Sequence, residues 1–228
     1  MDKLVPSFKE SLFAPTYELT AECAEIALDA LFESDALKAI PVVSTITAIC
    51  KVGYNIRERN LLRQTISFIS EFNSGKIAPE KKESYLQMLN DDPARAEKEL
   101  SRVLIILGNH IDEIQSAVLG SFYGAFVKGS ISWDKFCELS EANRRMYVSD
   151  YFVLSEAAHN KGVNLKGREL YQVDRLVSLG LLQNQNRLGG STIIDIDAPP
   201  NPNKDKDYIV TSFGRTFYQH MPIIRGVK

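Results

Sequence analysis

Reactive residue types are scarce in this chain. Its 228 residues include three histidines, His110, His159 and His220, and three cysteines, Cys23, Cys50 and Cys137. They are far apart and form no His-x-x-x-His or Cys-x-x-Cys pair, so the ligand spacing of a local metal site is missing. An odd number of scattered cysteines in apolar helical surroundings excludes a disulfide framework and fits a reducing, cytoplasmic setting. The sequence contains no Gly-x-Ser-x-Gly elbow and no phosphate-cradling glycine loop ahead of a helix. The segment Met1-Asp2-Lys3-Leu4-Val5-Pro6 lacks the charged, apolar and small-residue regions of a secretory signal. Charge of one sign is lacking too: 27 Lys plus Arg against 29 Asp plus Glu give a net charge of −2. These absences assign no catalytic, cofactor-binding or metal-binding residue.

What is there is helical periodicity. With 44% hydrophobic residues, a chain of this length buries roughly 70% of its unfolded surface and needs no covalent staple. From about Tyr17 to Tyr151 the apolar residues recur at i, i+3, i+4 and i+7. One such stripe runs through Cys23, Ile26, Ala27, Ala30 and Leu31. Another joins Leu61, Leu62, Ile66, Ile69 and Phe72 and stops at Asn73-Ser74-Gly75. A short helix is expected over 79–89. Asp92-Pro93 then sets a capping carboxylate before a first-turn proline, opening a helix through Leu100, Val103, Leu104 and Leu107. Ile111, Ile114, Val118, Phe122 and Phe126 mark the next. Ser132 caps one more, with Phe136, Leu139, Met146 and Tyr147 as its inner face.

After Asn160 the pattern changes. Lys166 to Leu179 reads as a helix with Leu170, Val173, Leu176 and Val177 on one face and Gly180 as its stop. An Asn- and Gly-rich stretch follows. Thr192 to Asp197 reads as a strand, ended by a Pro/Asn loop and Lys204-Asp205-Lys206-Asp207. Tyr208-Ile209-Val210-Thr211 is the returning strand, and a last helix begins after Thr211 or Ser212. Asp195 and Asp197 share one strand face, which reads as a solvated wing for want of a third ligand.

The run Asp174-Arg175-Leu176-Val177-Ser178-Leu179-Gly180-Leu181-Leu182, followed by Tyr208 to Arg215, resembles the recognition-helix end, wing and closing helix of winged-helix modules. The expected fold is therefore mostly α: a helical bundle over 1–155 and a small winged-helix-like α+β domain over 156–228. Residues 151–228 hold 10 Lys plus Arg and 7 Asp plus Glu, a net of +3; residues 1–150 hold 17 and 22, a net of −5. Lys166, Arg168, Gln172, Arg175, Lys204 and Lys206 are the candidates for contact with a partner protein or with nucleic acid. Glu169 and Asp174 oppose a phosphate backbone. Protein contact and DNA binding both remain open here.

Ala39 to Cys50 contains no charge. As a helix its twelve residues span about 18 Å, well short of the roughly 30 Å hydrocarbon core. It is either a core helix or a segment that meets a membrane or another subunit conditionally, through Ile40, Val42, Val43, Ile46 and Ile49 with Arg57 and Arg59 behind it. Gly120 and Gly124 have the spacing that lets helices approach closely, inside the chain or between copies.

Ile40-Pro41-Val42-Val43, Gly53 to Arg59, Phe122 to Gly129 and Ser132 to Phe136 together resemble the bacterial abortive-infection alpha type of protein. That resemblance implies phage defence of the abortive-infection kind; with no local reactive cluster, the expected role is a non-enzymatic effector or sensor acting through a protein partner or homo-oligomer, with conditional membrane association through Ala39 to Cys50. The alternative function is a winged-helix DNA-binding regulator.

Overall fold

The computed structural model describes residues 3–13, 40–49, 56–75, 77–164, 169–185 and 207–223. It divides the chain into two compact units, Met1–Arg144 and Arg145–Lys228. The expected stripe at Cys23 to Leu31, the strand at Thr192 to Asp197, and Lys166, Arg168, Lys204 and Lys206 lie outside the described residues.

Every element among the first unit's described residues is a helix: α1 (Leu4–Phe13), α2 (Pro41–Ile49), α3 (Ile56–Ser74), α4 (Pro79–Asp91), α5 (Pro93–Asn109), α6 (Glu113–Val127) and α7 (Trp133–Arg144). Its central event is α3 lying along α6. A Cβ built on Gly120 would stand 2.5 Å from the Phe68 carbonyl oxygen, so only hydrogen at this position lets the two backbones meet. Around that seam the rings of Phe68, Phe72 and Phe136 pack on Tyr123 at centroid distances of 5.8, 5.7 and 5.6 Å. One carboxylate enters this core: buried Glu99 accepts from Tyr85 Oη at 2.6 Å and from Arg95 Nε at 2.8 Å, which offsets its desolvation.

Capping chemistry sets the helix starts. The Asp92 carboxylate accepts from Arg95 N at 3.0 Å, as the Asp92-Pro93 pair predicts. Ser132 Oγ accepts from Lys135 N at 3.2 Å. Between α5 and α6 the expected boundary shifts. Gln115 Oε1 accepts from the amides of Ile111 and Asp112, starting α6 at Glu113, so Ile111 sits in the corner and is exposed rather than on the stripe. A second boundary also moves. Helix α7 ends at Arg144, and Met146 and Tyr147 belong to the turn that opens the next helix.

The second unit comprises α8 (Val148–His159), α9 (Leu170–Ser178), β1 (Leu182–Asn184), β2 (Tyr208–Val210) and α10 (Ser212–His220). Helix α8 packs on α9, β2 and α10. The division therefore falls ahead of α8, not at 155/156, because α8 supplies this small unit's core with Tyr151, Val153 and Leu154. The strands pair antiparallel, with Leu182 opposite Val210 and Asn184 opposite Tyr208. The sequence expectation placed no strand at Leu182 to Asn184, whose three residues include two amides. Val163 bridges to Tyr208 through a reciprocal pair of hydrogen bonds at 2.9 and 3.1 Å. Gly180 takes φ +73°, the left-handed turn that stops α9 and sends the chain into β1. Thr211 Oγ1 accepts from Gly214 N at 2.8 Å and caps α10.

Candidate functional site

The second unit carries a polar site built on the turn into α8. Asp150, in the first turn of that helix, is fully buried. Its Oδ2 accepts from Tyr147 N at 2.8 Å, closing the N-terminus of α8. The same carboxylate receives Arg175 from α9, with Nε to Oδ2 and Nη2 to Oδ1 both at 2.7 Å. A buried carboxylate is tolerated only when its oxygens are taken up in this way. Asp150 in turn holds the Arg175 guanidinium pKa above its ordinary value.

Two tyrosines bracket the guanidinium. Its carbon lies 4.5 Å from the centroid of the Tyr147 ring and 5.7 Å from that of Tyr171, within cation–π range. Those rings are open to solvent, Tyr147 at 62% and Tyr171 at 58%, with Leu170 beside Tyr171 in sequence at 52%. The expectation that Leu170 faces the core with Val173 and Leu176 is therefore corrected: Val173 and Leu176 are buried, and Leu170 points outward. Gln172 is half-buried. Of the two described residues among the six expected to meet a partner or nucleic acid, Gln172 and Arg175, the structure brings Arg175 into this cluster. The sequence reading missed Tyr147, Asp150 and Tyr171. Their one local signal is an acidic residue three positions after Tyr147, the reach of a capping side chain to the amide that starts a helix.

In the first unit, Ile40, Val42, Val43 and Ile46 are buried, and α2 is nine residues long. Ile49 ends that helix, and its side chain lies outside the description. Arg57 is exposed and Arg59 half-buried. Gly120 and Gly124 are buried; Gly120 faces the Phe68 backbone, while Gly124 faces the side chains of Ile77 and Phe72. No described helix is long and apolar enough to cross a membrane.

A buried polar cluster surrounds His110. Ser116 Oγ donates to Gln64 Oε1 at 2.7 Å and lies 2.8 Å from His110 Nδ1. The serine proton is thus committed, and Nδ1 carries the imidazole hydrogen. Nε2 is left buried with no hydrogen-bond partner among the described residues. Burial, reinforced by the charge of Arg144, pulls the His110 pKa down to about 4. The nearby Glu113 carboxylate pairs with Arg63 at 3.0 Å. Asn60 and Gln64 donate to the carbonyls of His110 and Ile111, so this network clamps the corner between α5 and α6. Among the described residues no group of three His, Cys, Asp or Glu could hold a metal ion.

No family model, curated protein or solved structure matches the chain.

Proposed function

We propose that this chain acts through protein–protein contacts made by its C-terminal unit, as a non-enzymatic effector or sensor in bacterial phage defence of the abortive-infection kind. The defence setting rests on the resemblance of Ile40 to Val43, Gly53 to Arg59, Phe122 to Gly129 and Ser132 to Phe136 to that group. A winged-helix-like reading of the second unit draws support from the order α8, the Val163 bridge, α9, β1, β2, α10.

One observation carries the choice of protein over DNA. Arg175 is the cation within α9, and both its Nε and one terminal nitrogen are spent on buried Asp150. A helix that reads DNA offers free guanidinium or ammonium groups to phosphates and base edges. Helix α9 instead offers Leu170, Tyr171 and Asp174 to solvent. Tyrosine and arginine at the centre of an exposed patch are the residue types that dominate protein interfaces.

Two measurements test this. Titration of a fluorescent DNA duplex at about 50 mM salt should give no saturable binding; tight binding that falls steeply with added salt would establish the DNA regulator instead. Bacteria carrying the chain should yield fewer phage plaques than cells without it, and a folded Tyr147→Ser/Tyr171→Ser variant should lose that protection. Equal plaque counts with and without the wild-type chain across a phage panel would refute the defence setting.

A further inference from the structure

Resting on the protein-contact reading of this surface, we infer that the Tyr147–Leu170–Tyr171 face docks a basic segment of a partner protein, one that sets a lysine or arginine beside an aliphatic anchor. The argument is charge complementarity. Glu169 and Asp174 are exposed at either end of the Leu170–Tyr171 pair and form no ion pair among the described residues. The positive charge of Arg175 is met by Asp150 within the unit. Arg145, two residues before Tyr147, is also exposed, so the exposed charges of the described residues beside this face, Glu169, Asp174 and Arg145, leave a net of −1.

The rings add to this. A tyrosine face carries negative quadrupolar potential and attracts cations, and Arg175 already lies over both rings. The solvent-facing parts of Tyr147 and Tyr171 offer the same attraction to an incoming guanidinium or ammonium. Leu170, 52% exposed, supplies the apolar contact that a purely electrostatic encounter lacks. Because Arg175 is clamped by two hydrogen bonds to a buried carboxylate, the platform between the rings is held before any partner arrives, which lowers the ordering cost of binding.

The test is selection of a displayed library of random peptides, about twelve residues long, on the full-length protein. Each recovered peptide is then titrated against wild type, Tyr171→Ser and Asp174→Lys. Both substitutions are at exposed positions, and circular dichroism with a thermal midpoint checks that each variant is folded. The expected result is a set enriched in Lys and Arg next to Leu, Ile or Phe. These peptides should weaken about tenfold on Tyr171→Ser, weaken again on Asp174→Lys, and bind less well as salt rises. Peptides that need Tyr171 but are acidic or neutral and gain from Asp174→Lys would overturn the basic-partner inference while leaving the docking surface intact. Selected peptides indifferent to Tyr171→Ser, or no selected binder at all, would overturn both.

Discussion

Replacing Arg175 by leucine leaves the Asp150 carboxylate fully buried with one donor, the Tyr147 amide, where it had three. Breaking a buried ion pair by removing one partner costs about 3–5 kcal/mol, because the remaining charge has neither water nor a counter-charge. The Arg175 side chain is 22% exposed, so water reaches part of the vacated space and the lower end of that range, about 3 kcal/mol, is expected. Lysine should not rescue it, since a single ammonium cannot supply two fixed donors to both oxygens. The double variant Asp150→Leu/Arg175→Leu should be less destabilised than the sum of the single changes, with a coupling of about 1–3 kcal/mol. The sole tryptophan, Trp133, lies in the first unit, so its fluorescence reports that unit. Hydrogen exchange across 148–159 and 170–178, followed by mass spectrometry, reports the second. Exchange in Arg175→Leu should accelerate by two orders of magnitude there, with Trp133 unfolding unchanged. Protection equal to wild type would refute the idea that this pair holds α8 to α9.

Gly120→Ala should destabilise the first unit by about 2–3 kcal/mol in urea, since its methyl would meet the Phe68 backbone. Gly124→Ala should cost markedly less, because the nearest atom there is the movable Ile77 Cδ1 at 3.5 Å. Acid should weaken the same unit through His110. Its folded pKa of about 4 lies below the ordinary 6.5, so the unfolded chain takes up the proton first. The stabilising contribution is therefore present above about pH 6.5 and falls by about 3 kcal/mol as pH drops to about 4. His110→Gln, which does not titrate, should flatten the Trp133-monitored stability profile over that window; an unchanged slope would count against the assignment.

Helix identity was readable wherever local chemistry decides it. Asp92-Pro93, Ser132 and Gly180 each act within a few residues of themselves, and the structure uses all three as the sequence implies; of the two starts left open for the last helix, Thr211 is the one that caps it. Of the stripe Leu61, Leu62, Ile66, Ile69 and Phe72, the last four lie on the buried face of α3 for the same reason, while Leu61 is half-buried. Boundaries failed where a distant or non-periodic group intervened. Gln115 starts α6 only after Ile111, and the run from Phe136 to Tyr147 passes the end of α7 into the turn that opens α8. Strand β1 was invisible because three residues paired to a partner 26 positions away show no period of their own.

The sequence by itself determined a chain of amphipathic helices, a change of pattern after about residue 160, and the absence of local catalytic or metal-ligand spacing. Those properties follow from side-chain order along one element. Only the tertiary structure decided that Arg175 is spent on Asp150, that Tyr147 and Tyr171 flank it in the open, and that His110 is buried beside Ser116. Each of those facts depends on which elements meet, and the energy of a charge or a lone pair is fixed by the groups around it rather than by its neighbours in the chain.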